Sequence, residues 1–211
     1  MNLFSTIAHF FQNGGIFMYP ILVLLILGLA IIIERAYFIT RARRENRILW
    51  DRLVPLVNQG DYAAAEQLAA DSDTAIGRVL GGGIARARAP GATRDSIETV
   101  MDESLMEVTP QLEQRTPFLA VFANVATLMG LLGTIVGLIE GFGAVSTIDA
   151  AQKADDLSHA VSVALNCTAF GLLVAIPFLL VHAWLQSRTD SLIDNIETAA
   201  VKFMNSLSLS R

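Results

Sequence analysis

Asn124, Thr127, Leu131, Thr134 and Leu138 fall three and four residues apart in an otherwise apolar run. On a helix that spacing puts them on one face, lined by an amide and two hydroxyls. Gly133, Gly137 and Gly141 form a ladder of small residues that lets another backbone come close. Such a surface carries no charge; it packs tightly and meets something polar. A second polar set, Ser162, Asn166, Cys167 and Thr168, lies about 30 residues later. Ser162 and Asn166 share a face at i, i+4, whereas Thr168 points elsewhere unless the helix is distorted. Ala164, Thr168, Gly171 and Ala175 give this segment a small-residue stripe of its own. Hydroxyls in membrane helices commonly donate to a carbonyl one turn earlier, a purely local role. Spacing alone leaves the two roles of these threonines evenly balanced.

The elements that carry these residues must be membrane spans. Of 211 residues, 53% are hydrophobic and 17% charged, too apolar for an ordinary soluble domain. About 20 apolar residues suffice to cross a bilayer, and three segments qualify: 16–39, 118–142 and 160–184. The second has no charged side chain before Glu140, near its end. The first has no hydroxyl face and reads as an outer, lipid-facing helix, with Tyr19 and Tyr37 in the aromatic belts. Its late Glu34 and Arg35 read as side chains snorkelling at the membrane exit, with a salt bridge to a neighbouring subunit as the alternative.

Charge distribution sets the topology. Arg35, Arg41, Arg43, Arg44, Arg47 and Arg52 follow the first span and mark a cytoplasmic flank. The N-terminus is then outside, and residues 1–15, free of Lys and Arg, read as an interfacial amphipathic helix rather than a cleaved signal peptide. Residues 143–159 form an acidic outer loop, with Lys153 the one basic residue on that side and the other fourteen of fifteen inside. Residues 40–117 are the cytoplasmic helical region. Asp61 is placed to cap a helix there, and Gly81–Gly83 and Pro90–Gly91 read as breaks. From Thr93 a helix with an apolar stripe of Ile97, Val100, Met101, Leu105, Met106 and Val108 is expected to pass Pro110 and Pro117 and run into the second span as one rod. Pro177 should kink the third span, and His182 and Trp184 read as interfacial. Residues 185–211 form a cytoplasmic helix. Its Leu192, Ile193, Ile196, Val201, Phe203, Met204 and Leu207 are expected to pack on that rod.

Enzyme chemistry finds no footing. The Gly81–Gly83 triplet lacks the lysine and spacing of a phosphate loop. Asp102, Glu103 and Glu107 have no histidine partner and read as a solvated face rather than a metal site. The single cysteine, Cys167, excludes a disulfide framework and reads as a buried thiol.

GLLGTIVGL, residues 130–138, followed by NCTAFGLLVAIP, residues 166–177, resembles the MotA/TolQ/ExbB proton channel family, closest to its ExbB/TolQ branch. The resemblance implies an all-α membrane protein with three transmembrane helices. Long helices two and three would extend into a cytoplasmic helical domain, and five copies would form a homopentamer in the bacterial inner membrane. It implies no enzyme, cofactor or nucleic acid. Its partners would be membrane lipids and an ExbD/TolR-like single-span protein, two copies of which stand inside the pentamer and carry a membrane aspartate. The transported ion would be H+, with a sodium-driven stator, or a non-conducting oligomeric scaffold, as alternatives. The family's span threonines fall on Thr134 and Thr168; Asn124, Thr127, Asn166 and Glu140 extend the polar path. Gly133, Gly137, Gly141 and Gly171 serve helix packing. One departure stands out: many relatives place a glutamate five residues before the second threonine, where this chain has Val163. With no carboxylate in the middle of either span, an ion-driven motor of this kind would have to take its titratable group from the partner.

Overall fold

The computed structural model describes residues 14–145 and 150–209, with side chains placed for 14–143 and 153–207. The expected interfacial helix over residues 1–15 lies almost wholly outside them. The described residues form six helices and no strand: α1 Met18–Asn58, α2 Tyr62–Ala70, α3 Ala75–Arg88, α4 Arg94–Glu113, α5 Thr116–Val145 and α6 Ala150–Leu209. Three stretches, in α1, α5 and α6, are long and apolar enough to cross a membrane. Residues 150–159, read from the sequence as part of a loop, are the opening turns of α6.

The chain divides into two compact units. The apolar unit takes the chain up to Ile33 together with Arg115–Ala183. Its core joins Met18 and Ile21 of α1, Ala123 and Ala126 of α5, and Cys167, Phe170, Val174 and Phe178 of α6. Gly28 matters here, because a Cβ at that position would fall 2.2 Å from the Phe178 ring. Val23, Ile26, Leu27, Leu29 and Ile33 of α1 stay exposed, an apolar surface of the kind that meets lipid or another subunit.

The second unit takes Glu34–Gln114 and the chain from Trp184 onward. Its core draws on five helices: Leu49 and Leu53 of α1, Ala65 and Ala69 of α2, Val79, Leu80 and Ile84 of α3, Ile97, Met101, Val108 and Leu112 of α4, and Leu192, Ile196 and Phe203 of α6. Leu192, Ile196, Phe203 and Met204 of the C-terminal segment join the same buried core as Ile97 and Met101 of α4, but Met106 and Val201 are exposed, at 75% and 60%. The local signals are well placed. Gly60, at φ +76°, ends α1, with Asp61 N–H reaching back to the Leu56 carbonyl at 3.0 Å, a left-handed cap that suits glycine. Asp61 then caps α2 by accepting from Ala64 N–H at 3.1 Å. Thr93 and Ser96 form a reciprocal capping box on α4.

Three expectations need correction. Gly81–Gly83 do not break α3. A Cβ at Gly83 would sit 2.6 Å from Met101 sulfur, and one at Gly81 would sit 3.3 Å from the Ala69 Cβ, so the triplet serves close packing inside a helix. Nor does α4 run into α5 without a break. Gln114 leaves helical geometry and Arg115 adopts φ +66° before α5 begins at Thr116. Pro117 explains this: its ring clashes with the Glu113 carbonyl and it has no N–H to offer it. Pro110 and Pro177, by contrast, are accommodated inside their helices. Finally, Arg35 does not snorkel to water. It is fully buried, its Nη2 donates to the Leu112 carbonyl and its guanidinium lies 4.6 Å from the centre of the Phe38 ring. A cation at the last carbonyls of α4 is favourably placed against the helix dipole, and that contact, together with the ring, makes burial tolerable.

Candidate functional site: the α5–α6 contact

In the apolar unit α5 and α6 meet through glycine. A Cβ on Gly171 would lie 2.6 Å from the Ala126 carbonyl oxygen and 3.2 Å from Gly130 Cα; one on Gly130 would lie 3.1 Å from Thr168 Cα. These are backbone-on-backbone contacts that no side chain permits. Further along, Gly133 faces Cys167, Gly137 faces Ala164 and Gly141 faces Ala160, each close enough that an added Cβ would lie within 3.2 Å of a side chain. Thus the small ladder of α5 reads against the small stripe of α6, residue by residue. Gly130 is the centre of the contact and was not singled out from sequence as a packing residue. The signal was present, since Gly130 continues the Gly133–Gly137–Gly141 series one turn earlier.

The close approach makes one polar bond possible. Thr168 Oγ1 donates to the Gly130 carbonyl across the interface at 2.8 Å. In an α-helix that carbonyl is also the acceptor for the N–H of Thr134, and a carbonyl oxygen has two lone pairs. The Thr168 hydroxyl thus reaches α5 one turn before Thr134, whose backbone N–H, not its hydroxyl, uses the same carbonyl. The sequence spacing alone pointed Thr168 away from the polar face of its own helix; the structure turns it onto α5 instead.

The other hydroxyls stay local. Thr134 Oγ1 donates to the Leu131 carbonyl at 2.6 Å, and Thr127 Oγ1 to the Ala123 carbonyl at 3.0 Å. Thr134 and Asn166 are half-buried, while Asn124 and Glu140 are exposed. Val163 is half-buried, with Cγ1 3.3 Å from where a Cβ on Gly15 would stand. Among the described residues no group of histidine, cysteine and carboxylate side chains is arranged to hold a metal ion.

Fold and site thus define a helical, multi-pass membrane protein whose second and third apolar segments pack through glycine around two threonines. The sequence profile of the MotA/TolQ/ExbB proton channel family matches residues 71–198, and the chain belongs to that family. Its relatives place it on the ExbB/TolQ branch. It is 31% identical to a putative biopolymer transport protein ExbB-like 3 of Synechocystis sp. over 169 residues, 79% of each chain. With a second Synechocystis protein, ExbB-like 1, it shares 32% over 192 residues, 87% of this chain and 72% of that one. The Tol-Pal system protein TolQ of Haemophilus influenzae is 29% identical over 178 residues, 79% of this chain and 76% of that protein. The family is one of proton channels, and these relatives carry the names of biopolymer-transport and Tol-Pal system proteins.

Proposed function

We propose that this chain is the channel-forming subunit of an ion-driven motor. In this reading five copies enclose two copies of a single-span, ExbD/TolR-like protein, and α5 and α6 line the enclosed space. Proton flow down the gradient across the inner membrane turns one part against the other and so powers work elsewhere in the envelope. The N-terminus lies on the outer side and the second unit in the cytoplasm, a reading supported by the arginines that follow the first span.

The observation that carries this reading is the bond of the Thr168 hydroxyl across to the Gly130 carbonyl, one helical turn before Thr134. Hydroxyls donate and accept, so each can exchange its in-chain acceptor for a carboxylate brought by the partner. An aspartate on the partner helix has a raised pKa when dehydrated against apolar wall and a lower one against hydroxyls and water. Moving between the two settings couples protonation to rotation. Asn124, Thr127, Asn166 and Glu140 extend the polar route.

A non-conducting scaffold is the second reading. It is favoured by the same bonds: in the isolated chain both threonine hydroxyls are already engaged with carbonyls. Proton flux into liposomes holding the chain with its co-purifying single-span protein separates the two. Flux that Thr134→Val abolishes supports the motor. A sealed, stable assembly with no flux supports the scaffold, and flux carried by Na+ at constant pH assigns the sodium-driven variant.

A further inference from the structure

One cavity of the second unit has a lining that the channel reading does not use. It occupies about 230 Å³ between α1 and α6, beside Ile76 in the first turn of α3. Arg43, Asn46, Arg47 and Trp50 line it from α1, spaced i, i+3, i+4, i+7; Asn195 and Lys202 face them from α6. The lining holds three cations and no carboxylate, in a chain whose net charge is −5. Arg43 and Lys202 enter no ion pair among the described residues, and the Arg47–Asp51 contact is long, at 4.0 Å, and exposed. The larger cavity next to it also touches Asn46, but there Arg41 pairs with Glu45 and Arg78 with Asp73, so its charge is balanced.

Asn46 is the second observation. Only 6% exposed, it accepts Ile76 N–H on Oδ1 at 3.3 Å, which fixes the amide, and its buried Nδ2 has no hydrogen-bond partner. A buried donor left without an acceptor is costly and calls for one.

We propose that this cavity binds a phosphate-bearing anion. Arg43, Arg47 and Lys202 supply charge, the two guanidinium groups supply paired donors suited to phosphate oxygens, and Asn46 adds a neutral amide to the same lining. Trp50, Ile76 and Leu192 give the non-phosphate part of the ligand an apolar wall. A soluble phosphate compound and an anionic lipid headgroup present the same chemistry, and the experiment separates them.

The full-length protein carrying Trp184→Phe leaves Trp50 as the single tryptophan reporter. In detergent it is titrated with inorganic pyrophosphate; in nanodiscs its thermal midpoint is compared with and without phosphatidylglycerol. The site variant is Arg43→Gln/Arg47→Gln/Lys202→Gln. The control, Arg44→Gln/Arg52→Gln/Arg94→Gln, removes equal charge from the same unit. A saturable pyrophosphate response weakened at least tenfold in the site variant and retained in the control assigns a soluble ligand. A phosphatidylglycerol-dependent rise in midpoint lost only in the site variant assigns a lipid headgroup. No response in either arm, or equal loss in site variant and control, overturns the proposal. Lys202→Glu alone, at an exposed position, repeats the test should the triple variant fail to fold. Because the readout is binding, it stands or falls apart from ion flux.

Discussion

The threonines show how one residue type fills two structural roles. Thr134 bonds back along its own helix, while Thr168 bonds across to the Gly130 carbonyl. Thr168→Val keeps the shape and removes that cross-helix bond, at about 0.6–1 kcal/mol for a bond of this kind in a membrane. The assembly should remain folded, and only energised activity should fall. A variant that dissociates in a mild-detergent sizing run would instead make Thr168 structural glue. The glycines carry a sharper expectation. Gly171→Ala pushes a Cβ into the Ala126 carbonyl at 2.6 Å, and overpacking of this kind costs about 1–3 kcal/mol. Gly143→Ala meets nothing within 4 Å and should leave the melting midpoint unchanged; equal effects from the two would refute the contact. The polar and small positions of this site were readable because period and residue type are written in the chain. Which carbonyl Thr168 would reach was not, because it depends on how closely two helices 38 positions apart come together.

At the scale of elements, the breaks were the hard part. Asp61 and Thr93 announced helix starts that the structure keeps. The Gly81–Gly83 triplet announced a break that it does not keep, since glycine between tightly packed helices is spent on proximity rather than on a turn. Pro110 and Pro117 looked alike in sequence, yet only Pro117 coincides with an interruption, at Gln114 and Arg115. Arg35 was misread for a related reason: a single arginine late in an apolar segment gives no sign that a helix 77 residues away will end on it. Arg35→Ala removes a charge-assisted bond to the Leu112 carbonyl and should cost about 2 kcal/mol, read as a lowered midpoint by circular dichroism. Arg115→Gly relieves a left-handed conformation that glycine adopts freely, and should leave that midpoint unchanged or slightly raised. If Arg35→Ala leaves the midpoint where it is, the buried tether contributes nothing to folding.

For the whole molecule, the decisive feature is a pair of spans that offer hydroxyls and glycine but no carboxylate at mid-depth, with Val163 five residues before Thr168. A proton-driven device needs a group that titrates within the membrane. On this account the chain provides the wall and its single-span companion provides the acid. Three spans and the family could be read directly from composition and two motifs. The companion enters only through the family resemblance, because on this account the residue that completes the site belongs to another polypeptide. The most direct measurement is proton uptake into liposomes under an imposed gradient. It compares this chain alone with this chain reconstituted beside its co-purifying single-span protein, and repeats the second case with that protein's membrane aspartate changed to asparagine. The account predicts uptake in the second case only. Uptake by this chain alone, or uptake that survives loss of the partner's aspartate, would contradict it.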